Sequence, residues 1–254
     1  MPETPASQID RGPALQTDSC VVIDDFLPEQ TYQEVYDWTE RLDYRHINTT
    51  GSVNRVWSPN CGFPMCSVDH FTCNAPGAEG NDGIRRYPVQ QSVDDFISAL
   101  NGVLPRWAPV VGAGEPEGWH HYSVGAWVYP PNTALGMHGD GAGAYTGAFV
   151  YFLSPHWRVH WGGLLVVLDE QTNADIVRGG EDLDPFVYHG RRWLHASPRD
   201  DSVFERGIGH CILPKRNRLV LLRAGTYHLV TKVLPECGDN VRVSLGGFFH
   251  RGGW

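Results

Sequence analysis

A mainly β domain, an antiparallel sandwich or small barrel carried on N-terminal helices, is what the sequence predicts. Past Trp107, short apolar runs recur: HHYSVGAWVY, YTGAFVYFL, GGLLVVLD, RLVLLRAG, HLVTKVL and RVSLGGFF, separated by Gly- and Pro-bearing turns. Glycine (29) and proline (18) are too frequent for a helical bundle. Before Trp107 the period is helical in two places instead. A length of 254 residues suits one domain, and an apolar share of 41% against 19% charged supports a packed core and excludes global disorder.

Residues 1–19 are polar, proline-dotted and aperiodic, and are expected to form a flexible tail. Residues 20–254 are expected to form the single domain. It opens with VVIDDFLPEQTYQEVYDWTERL, a short strand, a turn and a helix that starts at Leu27-Pro28-Glu29 and carries Tyr32, Val35, Tyr36 and Leu42 on one face. Residues 44–90 lack a clear period and read as loops with irregular strands. QQSVDDFISALNGVL is the second helix, with Val93, Phe96, Ile97, Leu100 and Val103 or Leu104 at helical spacing. The strands then follow, interrupted at about 170–212 by a polar stretch that separates GGLLVVLD from RLVLLRAG. It mixes Phe186, Tyr188 and Trp193 with Glu181, Asp182, Asp184, Arg191 and Arg192. A connection this long inside a compact domain reads as a lid or binding loop, or else as a solvated insertion.

The formal net charge of −9 argues against a nucleic-acid or anionic-membrane partner. No run approaches the roughly 18 apolar residues of a membrane span. The first residues lack a basic and apolar leader, so a cytoplasmic protein with six reduced cysteines is expected. Cys61, Cys66 and Cys73 with His70 lack the C-x2-C spacing of zinc knuckles and read as structural thiols. His120 and His121 read as core or surface histidines, and His156 and His160 as turn residues.

The most informative stretch is YPPNTALGMHGD. His138 and Asp140 are two residues apart, so an extended backbone turns both side chains to the same side. An H-x-D pair alone is a weak signal. His228, after the strand RLVLLRAG, supplies a third candidate. Two histidines and a carboxylate on one face leave positions open, which suits non-haem Fe(II) better than the closed tetrahedron zinc prefers. Fourteen residues on, Arg242 and Ser244 share a face of the last strand. A guanidinium fork with a hydroxyl receives a carboxylate, and an Arg in an otherwise apolar strand needs an anionic partner.

Taken in order, Tyr129, His138-x-Asp140, FVYFLSPHW, the Gly162-Gly163 pair, His228 and Arg242-x-Ser244 resemble the Fe(II)/2-oxoglutarate-dependent oxygenases, and within them the prolyl-hydroxylase-like branch. The opening VVIDDFLPEQTYQEVYDW resembles that branch's entry. The resemblance covers about residues 20–254. It implies a double-stranded β-helix (a jelly-roll, cupin-like barrel) supported by N-terminal helices. It implies Fe(II) on His138, Asp140 and His228, with 2-oxoglutarate and O₂ as co-substrates. Arg242 would hold the distal carboxylate with Ser244 as helper, and Tyr129 and the Tyr151-Phe152 pair would lie beside the co-substrate. If Phe152 is the inward residue, a tyrosine hydrogen bond is lost there. An acid at position 140 implies hydroxylation, desaturation or ring closure, since related halogenases carry Gly or Ala there.

The function so implied is oxidation of a small-molecule substrate by a monomer or homodimer, in a biosynthetic or tailoring pathway such as antibiotic biosynthesis, releasing succinate and CO₂. The alternatives are a protein or peptidyl hydroxylase of the prolyl type and a non-catalytic cupin-like binding module.

Overall fold

Backbone alternation and two amphipathic helices build a scaffold whose polar residues are gathered on one interior face. The computed structural model describes residues 12–47, 61–75, 85–140, 144–170 and 207–252. In chain order these form β1 (Leu15–Gln16), β2 (Cys20–Ile23), α1 (Glu29–Thr39), β3 (Tyr44–His46), β4 (Met65–Ser67), β5 (Phe71–Asn74) and β6 (Arg85–Arg86). Then come α2 (Val93–Val103), α3 (Ala108–Val111), β7 (His121–Tyr129), β8 (Leu135–Gly139), β9 (Tyr145–Phe152), β10 (Leu165–Leu168), β11 (Gly209–Ile212), β12 (Arg218–Arg223), β13 (Tyr227–Val230) and β14 (Arg242–His250).

Among the described residues the strands form two sheets. The larger runs β1-β2-β12-β9-β14-β7-β4-β3, with β5 and β6 branching from β7; the smaller runs β11-β10-β13-β8. Strands β10 and β12, which bracket the 170–212 stretch, therefore lie in different sheets and do not pair. Two features depart from the expected organisation. Leu15 and Gln16, placed in the tail, form a strand edge on Val22 and Val21. The end of the 170–212 stretch is strand β11, paired along β10 from Leu168↔Gly209 to Leu165↔Ile212. The rest of the expected lid, residues 171–206, lies outside the described residues. Short apolar tetrapeptides such as GHCI carry too little pattern to be read as strands without their partner.

Period-two alternation decides which side chains meet. On β7, Tyr122, Val124, Ala126 and Val128 pack with the helices, and on β14 Val243, Leu245 and Phe249 do the same. Helix α2 presents Val93, Phe96, Ile97, Leu100 and Val103 to this core, the i, i+3, i+4, i+7 stripe. Its start is tied by the Asp94 carboxylate, which accepts from the Val89 and Gln90 amides. Phe96 stacks on Tyr151 at 4.9 Å. Helix α1 packs through Tyr32, Val35 and Trp38, and the Tyr32 hydroxyl donates to the Leu153 carbonyl at 2.7 Å. Leu42 lies just past the helix end, half-buried against the same core.

The opposite face of the larger sheet turns toward the smaller one. A second core joins Cys20, Val22, Tyr129, Phe152, Val220 and Leu222 to Leu165, Val167 and Val230 across the gap. All six cysteines are free, five of them buried and Cys211 exposed. No helix among the described residues is long and apolar enough to cross a membrane.

Candidate active site

The gap between the two sheets holds the chemistry-bearing side chains. Strand β8 pairs with β13 so that His138 lies opposite His228, their rings 4.2 Å apart. Asp140 follows the end of β8 and turns to the same side as His138. The two Nε2 atoms lie 3.5 and 3.7 Å from the carboxylate oxygens of Asp140. The three potential ligand atoms all fall within 4.8 Å of one another.

Each imidazole is held from behind. His138 Nδ1 lies 2.8 Å from the Gly136 carbonyl, and His228 Nδ1 lies 2.8 Å from the Thr226 carbonyl. A carbonyl only accepts, so Nδ1 carries the proton and the Nε2 lone pair points at the cluster. Burial, and then the neighbouring His228, hold the His138 imidazole down at about 4. Its proximity to Asp140 is therefore a contact between a neutral ring and a carboxylate, not an ion pair. The Nδ1 contacts to the two carbonyls leave both Nε2 atoms as the donors a divalent metal would use beside the Asp140 carboxyl group.

Arg242 lines the same cavity. It is 1% exposed, and among the described residues its Nε has no hydrogen-bond partner. The guanidinium lies between the rings of Tyr129 and Phe152, 4.9 Å from each centroid. Burial lowers it to about 10, which leaves it charged at neutral pH. Among the described residues no carboxylate pairs with it, and a buried cation without an anion is costly, so these residues fit an anionic guest. Arg218 is engaged by Asp24 at 2.6 and 3.0 Å, and Arg223 donates to the Pro109 carbonyl; neither lines the cavity.

Of the residues singled out in the sequence, His138, Asp140, His228, Arg242, Ser244 and Tyr129 all line one cavity of about 230 Å³. Phe152 is the exception. It is fully buried beneath the guanidinium and does not line the cavity, so it positions Arg242 instead of touching a guest. Its neighbour Tyr151 points to the opposite face, where its hydroxyl donates to Asn217 Oδ1 at 2.7 Å. No tyrosine from that pair reaches the site. Trp127, Tyr145, Gly246 and Phe248 also line the cavity and were not singled out. The signal for them was available: counting in twos along β7 and β14 from Tyr129 and Arg242 reaches Trp127, Gly246 and Phe248.

A two-histidine, one-carboxylate face in one cavity with a buried guanidinium is a donor set that suits a divalent metal with open positions and an anionic guest. The family model described as the 2OG-Fe(II) oxygenase superfamily matches residues 124–250, half of the chain, and the chain belongs to that superfamily. It is a 2-oxoglutarate-dependent dioxygenase using Fe(II), 2-oxoglutarate and O₂. No curated protein matches the chain. Among solved structures it resembles a prolyl-4-hydroxylase from Pseudomonas putida, with TM-score 0.55 and 16% identity over 98% of this chain and 100% of that one. It also resembles a Trichoplax adhaerens prolyl hydroxylase in complex with a hypoxia inducible factor peptide fragment (TM-score 0.53, 15% identity, 97% and 88% covered). HygX from Streptomyces hygroscopicus, with nickel, 2-oxoglutarate and hygromycin B bound, gives TM-score 0.54 at 11% identity, with 91% and 83% covered. At such identities the likeness is one of fold.

Proposed function

We propose that this chain hydroxylates a small molecule, or desaturates or cyclises it, with iron held by His138, Asp140 and His228. Arg242 would hold the distal carboxylate of 2-oxoglutarate through its guanidinium, assisted by the Ser244 hydroxyl. The two sheets would be the two sides of a double-stranded β-helix within a single domain over residues 20–254. The observation that carries this reading is the buried, aromatic-clamped Arg242 with its partnerless Nε, in one cavity with the histidine–aspartate cluster.

Bound Fe(II) with 2-oxoglutarate and O₂ supplies the oxidising equivalents, and 2-oxoglutarate leaves as succinate and CO₂. The chain's own part is orientation. The Gly136 and Thr226 carbonyls fix the two imidazoles, so the ligand atoms need no reorganisation on binding. Tyr129 and Phe152 hold the guanidinium plane, so a carboxylate meets a fixed fork. Trp127, Tyr145 and Phe248 wall the cavity with rings and keep water from the reacting carbon. HygX, bound to hygromycin B, supports a small-molecule substrate on this fold.

The test is anaerobic absorption. Fe(II) plus 2-oxoglutarate should give the weak visible charge-transfer band of the chelate in the wild type, and His138→Ala should lose it. A band of full strength in that variant refutes the metal assignment.

A further inference from the structure

A second recess opens from the iron cavity, and its lining is chemically different. It is walled by His70, Thr72, Ser123 and His250, and shares Trp127, Tyr145, Gly246, Gly247 and Phe248 with the first. Its residues come from the same inward faces. Counting in twos, β7 reads His121, Ser123, Gly125, Trp127, Tyr129, and β14 reads Arg242, Ser244, Gly246, Phe248, His250. The register sets Arg242 opposite Tyr129, Gly246 opposite Gly125 and His250 opposite His121. Thr72 on β5 is opposite Ser123. One face thus runs from the guanidinium at one end to a histidine and hydroxyl group at the other, eight residues or about 26 Å along the strand.

The middle of that face is kept low by the glycine pair. A Cβ on Gly125 would lie 3.0 Å from His70 Nδ1, and one on Gly246 would lie 3.1 Å from the Trp127 indole. Both rings therefore rest on the sheet backbone, and the two cavities meet over it. Each is about 230 Å³, and together they reach the range of about 300–1,000 Å³ typical of small-molecule sites.

Thr72 is 5% exposed and lines the recess, and among the described residues its hydroxyl has no hydrogen-bond partner. A buried hydroxyl in a native fold needs a partner, and Thr72 is one of the residues that wall the recess. Among the described residues no Asp, Glu, Lys or Arg lines the recess. Burial lowers His70 and holds His250 down at about 4, so both rings are neutral. His250 Nε2 lies 3.3 Å from Ser123 Oγ, which also accepts from the Phe248 amide, so His250 and Ser123 form one linked polar group that a guest would join and not a pair of open sites. Tyr145 stacks on Phe248 at 4.9 Å and meets His250 edge-on, forming an aromatic wall. A charged group entering would be desolvated without a counter-charge. Hydroxyl groups on a ring meet neutral donors, neutral acceptors and ring faces.

We infer that this recess is the substrate compartment and that it takes an uncharged, polyhydroxylated ring of the substrate, hydrogen-bonded to Thr72, Ser123, His70 and His250. The inference rests on the function proposed above, since it makes the neighbouring cavity the place of oxidation.

The experiment uses the full chain with Fe(II) and 2-oxoglutarate, kept anaerobic, and methyl β-D-glucopyranoside as the probe. Saturation-transfer NMR should show millimolar binding of this neutral glycoside. The protonated methyl β-D-glucosaminide and the anionic methyl β-D-glucuronide should bind at least fivefold more weakly. Thr72→Val keeps the branched shape and removes the hydroxyl, and should weaken binding at least fivefold; Thr72→Ser should restore it. No transfer to the neutral glycoside, equal binding of the charged ones, or indifference to Thr72→Val overturns the inference. The charge-transfer band recorded on the same samples separates the two readings. A missing band with the glycoside bound refutes the metal assignment and leaves the recess standing. A normal band without glycoside binding refutes the recess alone.

Discussion

Arg242→Met should raise the stability of the ligand-free protein and abolish its tight hold on 2-oxoglutarate. The guanidinium is 1% exposed, and burial lowers it from its ordinary value to about 10. At about 1.36 kcal/mol per unit, holding that charge in the folded state costs about 3 kcal/mol. Contact with the Tyr129 and Phe152 rings returns about 1–2 kcal/mol. Met fills much of the same volume without a charge, so the ligand-free variant should gain about 1–2 kcal/mol. Binding moves the other way. Losing the partner of a buried carboxylate costs about 2–5 kcal/mol, a 30-fold to several-thousand-fold rise in Kd at about 1.4 kcal/mol per decade. Thermal unfolding with and without 2-oxoglutarate reads both effects, because a ligand of the folded state stabilises only what it binds. The variant should melt higher than wild type alone, and should not move on adding 2-oxoglutarate. A large destabilisation of the free variant would show that the guanidinium has an anionic partner within the protein. An unchanged ligand shift would remove Arg242 from the co-substrate site.

Three further outcomes are expected. Gly246→Ala puts a methyl 3.1 Å from the Trp127 indole, so substrate-free consumption of 2-oxoglutarate should persist while coupled product falls; equal losses of both would show that the glycine only supports the strand. The His250 imidazole sits at about 4 in the folded protein and 6.5 outside it, so its contribution is complete above 6.5 and is lost as pH falls toward 4. At pH 5 that amounts to about 2 kcal/mol, and His250→Gln should flatten denaturant-unfolding stability between pH 7 and 5; an unchanged slope would assign the acid sensitivity to other groups. The chain leaves the smaller sheet after Leu168 and returns at Gly209, beside the Val167↔His228 pair, so replacing residues 171–206 with a short link should spare iron and 2-oxoglutarate binding and reduce coupled turnover. Undiminished coupling in the shortened protein would make the insertion dispensable.

The parts of this molecule legible in the sequence are those with a local period. The stripe of α2 and the β-type apolar runs YTGAFVYF and RVSLGGFF announce themselves over eight or more residues, and the structure places them as a helix and two strands. His138-x-Asp140 was legible because two residues fix a common side. What joins them to His228 is the β8–β13 pairing, a contact across 90 positions that the spacing does not encode. Leu15–Gln16 and Gly209–Ile212 were read as tail and insertion because such strands are stabilised by their neighbours and not by their own pattern. The orientation of the Tyr151-Phe152 pair also waits on register, since either parity is compatible with an apolar strand. His250 was missed at the far end of a strand whose near end, Arg242, had been found. Thr72 sits in a segment too short to show a period.

That β14 spans both cavities has a consequence for how this enzyme can change. Positions 242 and 244 line the first cavity, 246 and 248 line both, and 250 lines the recess, all from one continuous backbone. On the function and the recess proposed above, point substitutions in the second half would retune which molecule is accepted while Arg242 stays where it is. Insertion or deletion of one residue cannot, because it would exchange Arg242, Ser244 and His250 for Val243, Leu245 and Phe249 across the whole face. Diversification of this strand should therefore proceed at constant length, and laboratory libraries at 246, 248 and 250 are the economical route to new substrates.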